Sequence, residues 1–424
     1  MSAAADARRC RPRPQSRREG DLRPTDVVGA FFVCGVAFLL AAATAGVAQW
    51  LFPWQWGRWL ALHLAFVGGI SQLVLGASQF FAGAFLATDP PPRVLVRAQS
   101  AAWNAGAILL AVAVPERAGA LIWLAVALLL AGLLAWAAAI AAMRRRSLRR
   151  APWATYWYVS GAAFLGLGVI AGSLLAHGTP WAHGDLLGAH MALNLAGWFG
   201  AAIVGTLHTF YPSLTATRLR YPHLQAATFI AWTGGVGALA IGYGLGLDPI
   251  AVGGWAALAI ASSLLLANLL SSLREAPRPL SLPARIVGVA QLFLLAALTI
   301  ATVVVLRDGP GQALSGSARE AFGTLIVTGW IGLTVLGSLL HLLAVVIRVR
   351  GGFRAQMPTA RPRFDICLAT LAVIGIAGLA LSQAIGLDLW GVLAKVALLL
   401  AYAALAALVL ARAGRILLSA RPSL

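Results

Sequence analysis

The sequence predicts an all-α polytopic membrane protein, with twelve transmembrane helices in three pseudo-repeated four-helix units. Three observations carry the prediction. The 424 residues are 60% hydrophobic and only 11% charged, with mean hydropathy +0.84, whereas a soluble domain is about 25% charged. The apolar stretches run about 20 residues or more, enough to cross a hydrocarbon layer of roughly 30 Å as helix. They do not alternate, so they satisfy their backbone as helices and not as barrel strands. Finally, one phrase nearly recurs three times: GGISQLVLG from Gly68, GWFGAAIVG from Gly197 and GWIGLTVLG from Gly329, at two nearly equal intervals. Repetition at a near-fixed period points to stacked copies of one unit.

In order, the spans are read at 27–51, 59–86, 95–115, 118–142, 154–176, 186–210, 223–244, 249–270, 284–305, 321–347, 366–386 and 389–411. Residues 1–25 form an Arg- and Pro-rich tail, expected to be disordered and cytoplasmic. The units follow at 26–150, 151–282 and 283–424, the last ending in a short basic tail. The first helices share the phrases GVAF at Gly35, GAAF at Gly161 and GVAQ at Gly288. The third helices of the first two units share AWNAGAILL and AWTGGVGAL, which puts Trp103 and Trp232 at the same interval as Gly68 and Gly197. Small residues at these spacings have a packing explanation, since they let helix backbones approach closely. The functional alternative is that spans two, six and ten are inner helices around something the units share.

The net charge of +19 fits sidedness better than nucleic-acid binding. With the N-terminus inside, the inner segments hold 27 arginines and the outer loops four: Arg58, Arg117, Arg307 and Arg319. That is the positive-inside pattern, and it places both termini in the cytoplasm. The basic inner face suits anionic headgroups of the bilayer. The apolar run after the tail is about 25 residues long and lacks a small-residue cleavage signal, so a retained anchor is expected. Cys10, Cys34 and Cys367 show no disulfide or thiolate-metal spacing.

All thirteen carboxylates lie in tails, loops or span ends. Proton pumps and ion-coupled transporters generally need an ionisable group within the membrane, so histidine is the remaining candidate. His63 begins span two and His190 begins span six, at similar depth on two of the repeated helices. Imidazole is a good ligand for copper and for haem iron. His177 and His183 precede span six as accessory metal ligands, and His183 shares a face with His190 if that helix starts early. Asp185 is placed to orient a ligand. Interfacial histidines that only hydrogen-bond to headgroups or loops are the competing explanation. His208 lies five helical turns after His190, about 27 Å along a helix, so the two cannot share one ion. His341 lies near the inner end of span ten. Lys395, the only lysine, sits about two turns into the last span, where a functional cation and a snorkelling one read alike. Tryptophans at span ends form an aromatic belt. No Walker loop, dinucleotide fingerprint or HExxH helix is present.

The phrases HLAFVGGISQLVLGASQFF from His63 and HMALNLAGWFGAAIVGTLHTFYP from His190, set in twelve spans, resemble the catalytic subunit of the haem–copper oxidases. The likeness is greater to that subunit's reduced relatives: haem- and copper-containing membrane proteins of the nitric-oxide response, and membrane segments preceding cupredoxin domains in actinobacterial copper enzymes. The resemblance implies a bacterial plasma-membrane location, His63 as a haem ligand and His190 at a copper site. It also implies a periplasmic cupredoxin or electron-transfer protein as partner. The chain departs from the pattern in three places. Asn194 follows His190 where the oxidase has its cross-linkable tyrosine, span seven lacks a His–His pair, and span ten lacks outer histidines. The expectation is therefore a degenerate oxidase-like protein that binds haem and/or copper near the outer face. Its role would be metal or haem handling, electron relay or nitrogen-oxide response, without oxygen reduction or proton pumping. The alternatives are a cofactor-free transporter or channel and a structural membrane partner of a periplasmic copper enzyme.

Overall fold

Apolar runs with no lipid-side partner for their backbone must close their own hydrogen bonds, and the computed structural model is all-helical throughout the residues it describes, 24–147, 153–351 and 362–419. Twelve long helices follow in order: α1 (Pro24–Leu51), α2 (Gly57–Leu86), α3 (Arg93–Ala113), α4 (Gly119–Arg146), α5 (Trp153–Ala176), α6 (Leu186–Thr215), α7 (Leu224–Gly244), α8 (Asp248–Glu275), α9 (Leu282–Asp308), α10 (Gly316–Arg348), α11 (Pro362–Ile385) and α12 (Asp388–Ser419). Eleven are long and apolar enough to cross a membrane, as a multi-pass membrane protein requires. The other is α3, whose Arg93, Arg97, Gln99 and Asn104 make it more polar. The tail expected at 1–25 lies outside the described residues except for Pro24 and Thr25, which begin α1. The expected boundary at 150 also falls outside them.

Several helices outrun their hydropathy. The expected span at 118–142 continues to Arg146, and the one at 249–270 to Glu275. Apolarity marks only the part in hydrocarbon. The backbone stays helical into the interface, where Arg144, Arg145 and Arg146 complement the negative end of the helix dipole.

The packing is layered. The α3–α4, α7–α8 and α11–α12 hairpins are closely packed pairs. Small residues permit this: a methyl group on Gly242 would meet the Ala251 backbone, and one on Gly375 the Leu398 backbone. Helices α1, α5 and α9 pack on α2, α6 and α10 respectively. Of the apolar helices, α6 is the most buried and α1 the least. Arg58 at the start of α2 pairs with Glu320 in α10 at 3.1 Å. This exposed pair contributes at most about 1 kcal/mol.

The three repeated phrases do local work of one kind. Each lies at a stretch of π-helix: 64–70 in α2, 192–200 in α6 and 324–332 in α10. The wider turn tilts carbonyls off the helix axis and opens them to outside donors, and such segments often mark functional places. The Val67 carbonyl accepts from Trp103 Nε1 at 2.9 Å, and the Ala196 carbonyl from Trp232 Nε1 at 2.9 Å. The Thr328 carbonyl accepts from the Tyr402 hydroxyl. Each of these carbonyls belongs to the residue just before Gly68, Gly197 or Gly329, so the acceptors keep the register of the repeat. The glycines seat aromatic side chains of the neighbouring helix. A methyl group at Gly68, Gly197 or Gly329 would run into Phe38, Phe164 or Phe293, and one at Gly76 or Gly205 into Phe31 or Trp157.

Two outcomes test this packing. Trp232→Phe keeps an aromatic group but loses the indole's second ring and leaves the Ala196 carbonyl without its donor, and is expected to cost about 1–3 kcal/mol or more in reversible detergent unfolding. Gly205→Leu puts side-chain volume where Trp157 lies and is expected to abolish the folded monomer in size-exclusion chromatography.

Candidate functional site

His63 and His190 lie within the first two turns of α2 and α6. Both rings are half-buried. Between the helices, one to three turns further in, Phe66 and Phe199 meet with ring centroids 4.9 Å apart.

Each imidazole is held by one nitrogen. His63 Nδ1 lies 2.8 Å from the Trp59 carbonyl one turn earlier, and the ring stacks on Trp59 at a centroid distance of 4.1 Å. His190 Nδ1 lies 2.9 Å from the Gly168 carbonyl on α5. A carbonyl only accepts, so both Nδ1 atoms carry the proton and both Nε2 atoms keep a lone pair. Metal-binding histidines have this arrangement: the outer nitrogen donates to a fixed acceptor, and that fixes the tautomer and aims the other nitrogen.

The seat of His190 is cut into α5. A methyl group on Gly172 would come within 2.7 Å of His190 Cε1, and one on Gly168 within 2.5 Å of Asn194 Nδ2. Asn194 lies one turn after His190. It donates from Nδ2 to the His190 carbonyl at 2.7 Å, bracing the entry to the π segment. Sequence reading missed the role of the GLGVIAG run at 166–172, although its small-residue spacing was legible.

The accessory residues fall elsewhere. His183 is exposed and precedes the helix. The condition under which it would share a face with His190 fails, because α6 begins only at Leu186. Asp185 sets that start as N-cap, its carboxylate accepting from the Gly188 amide at 2.9 Å. That carboxylate is committed to a backbone amide. His177 has a carbonyl beside each nitrogen, Ser173 at 2.7 Å from Nδ1 and Gly119 at 3.3 Å from Nε2, of which a neutral ring can donate to one, and the ring stacks on Trp123. Among the described residues no three His, Cys, Asp or Glu side chains form a metal-holding group. His177, His183 and His190 therefore do not make a three-ligand site.

Deeper in α6, His208 is fully buried. Its Nδ1 lies 2.8 Å from the Val204 carbonyl, and its Nε2 has no partner. His341 on α10 packs edge-on against Phe210, centroids 5.4 Å apart. Lys395 is exposed on the outside of α12, the position from which an ammonium reaches the headgroups. Among the described residues, a cavity of about 40 Å³ lies between α6 to α10, and a partly open crevice of about 100 Å³ lies between α2, α6 and α10. Neither His63 nor His190 lines either of them, so neither cavity sets a porphyrin-sized space against the two imidazoles. No family model matches the chain, and no curated protein matches it in sequence.

Gly172→Ala gives a direct check on the seat. The added methyl group must push the His190 ring aside, so any ligand held by His190 is expected to bind about tenfold more weakly or worse, as when a ligand-orienting partner is lost. Copper titration of the purified variant reads this.

Proposed function

We propose that the chain is a three-unit, oxidase-like membrane protein whose His63 and His190 form an imidazole pair that binds copper or haem near the outer face. One observation carries the reading. The two rings stand near the starts of two of the helices that bear the repeated phrase, helices that meet through Phe66 and Phe199, and each gives Nδ1–H to a carbonyl. Two such nitrogens suit copper well. Bound there, copper would supply one-electron chemistry. The chain's own part is to hold the rings with the Trp59 and Gly168 carbonyls and to wall the pair with Trp59. Haem fits less well, since neither cavity touches the pair. The role is metal or haem handling, electron relay or nitrogen-oxide response.

The three-unit reading is supported by the regular spacing of its contacts. Phe38, Phe164 and Phe293 recur at nearly the interval of Gly68, Gly197 and Gly329, the glycines they pack on. The likeness to the oxidase subunit rests on that arrangement and on the two histidine phrases. The split of 27 inner and four outer arginines supports a bacterial plasma-membrane protein with cytoplasmic termini. The pair would then face a periplasmic cupredoxin or electron-transfer protein. Transport of ions or polar solutes along the inner helices is disfavoured, because the crevice between them has apolar walls.

The deciding experiment uses full-length protein purified from cells supplied with copper and haem. Metal analysis is expected to find about one copper per chain, lost in His63→Ala and in His190→Ala and kept in His177→Ala. A Soret band that disappears in His63→Ala would assign haem instead. Copper or haem retained in both single variants, or absent from the wild type, would overturn the assignment.

A further inference from the structure

The larger cavity has an unusual wall. Most of its lining comes from α2, α6 and α10, in the same register as the repeated phrase. Val74, Ile203 and Val335 make one such level, and Ala77, Thr206 and Ser338 another. Five levels of this kind supply all of the lining except Phe32 on α1 and Tyr158 on α5. Those two stand in the same relation along the chain as Phe38 and Phe164. The cavity therefore sits where the three inner helices meet, and each helix contributes the same face to it.

Four of its five hydroxyl groups are spent on other partners, and the fifth, on Ser338, has no hydrogen bond among the described residues. The Tyr158 and Thr206 hydroxyls bond each other at 3.0 Å. Ser78 donates to the Leu75 carbonyl at 3.1 Å and accepts from Trp136 at 3.0 Å. Thr334 accepts from Gln291 at 3.2 Å. Apart from the Ser338 hydroxyl, what remains toward the cavity is methyl, methylene and phenyl surface. A buried water needs two to four polar partners, whereas an engineered apolar cavity of about 150 Å³ stays dry and takes up benzene or xenon. At about 100 Å³, this cavity is of the smaller size.

We propose that the junction of α2, α6 and α10 is a binding site for a small uncharged apolar molecule, of the size of a dissolved gas. The site is separate from the His63–His190 pair and stands whether or not that pair binds metal.

Xenon is the probe, applied to full-length protein in crystals under pressure and to detergent-solubilised protein by ¹²⁹Xe exchange NMR. Xenon is expected between Ala77, Ala202 and Val335. Ala202→Leu fills the space from α6 and Ala77→Leu fills it from α2, and each is expected to cut xenon uptake about tenfold or more, the cavity volume being consumed. Thr206→Val keeps the shape without the hydroxyl and is expected to leave uptake within about twofold. Thermal unfolding of each variant shows whether it has folded. If neither filling variant folds, the wild-type crystal and Thr206→Val decide the matter alone. Ordered water or a lipid chain in the crevice, no xenon in the wild type, or equal uptake in a folded filling variant would overturn the proposal.

Discussion

Hydrocarbon supplies no hydrogen-bond partner, so a helix that opens its backbone ladder inside a membrane needs a donor from its neighbours. Helices α2, α6 and α10 each do this at a π segment, and the neighbours answer with Trp103, Trp232 and Tyr402. Much of the arrangement follows from that constraint. An indole N–H must arrive at a fixed depth, which holds α3 to α2 and α7 to α6. In the last set the donor comes from α12 instead, at a place where the repeated spacing breaks down. The physical demand is the same, but a different helix meets it.

The glycines complete the scheme from the other side. Without side chains at Gly68, Gly197 and Gly329, the rings of Phe38, Phe164 and Phe293 lie against the inner helices. Dispersion over closely approaching surfaces is the main attraction available between helices in lipid. Buried polar groups then fix register: Trp198 to Ser71 at 3.0 Å joins α6 to α2, and Trp330 to Gln291 at 3.0 Å joins α10 to α9. The outer helices α1 and α12 are covered least, and Lys395 looks outward from the second of them.

The histidines divide by what holds their nitrogens. His177 faces carbonyls at both, which makes it a strut between α4 and α5. His63 and His190 are held at one nitrogen only. His208 resembles them in that respect but lies fully buried toward the other end of α6. Residue type alone ranks these four alike, and the difference between a strut and a ligand lies in which backbone the ring happens to meet.

By itself the sequence determined the helices, their rough limits and the small-residue faces. These depend on local composition and on solvent, and neighbours along the chain suffice to set them. Tertiary structure decided that α6 starts at Leu186 and so leaves His183 outside it. It also decided that Gly168 and Gly172 seat His190, that Trp103 and Trp232 serve carbonyls on the preceding helix, and that three matched helix faces enclose an apolar space. Each of those depends on which helices stand side by side, and hydropathy, which marks where a span lies but not which span it packs on, carries no record of that.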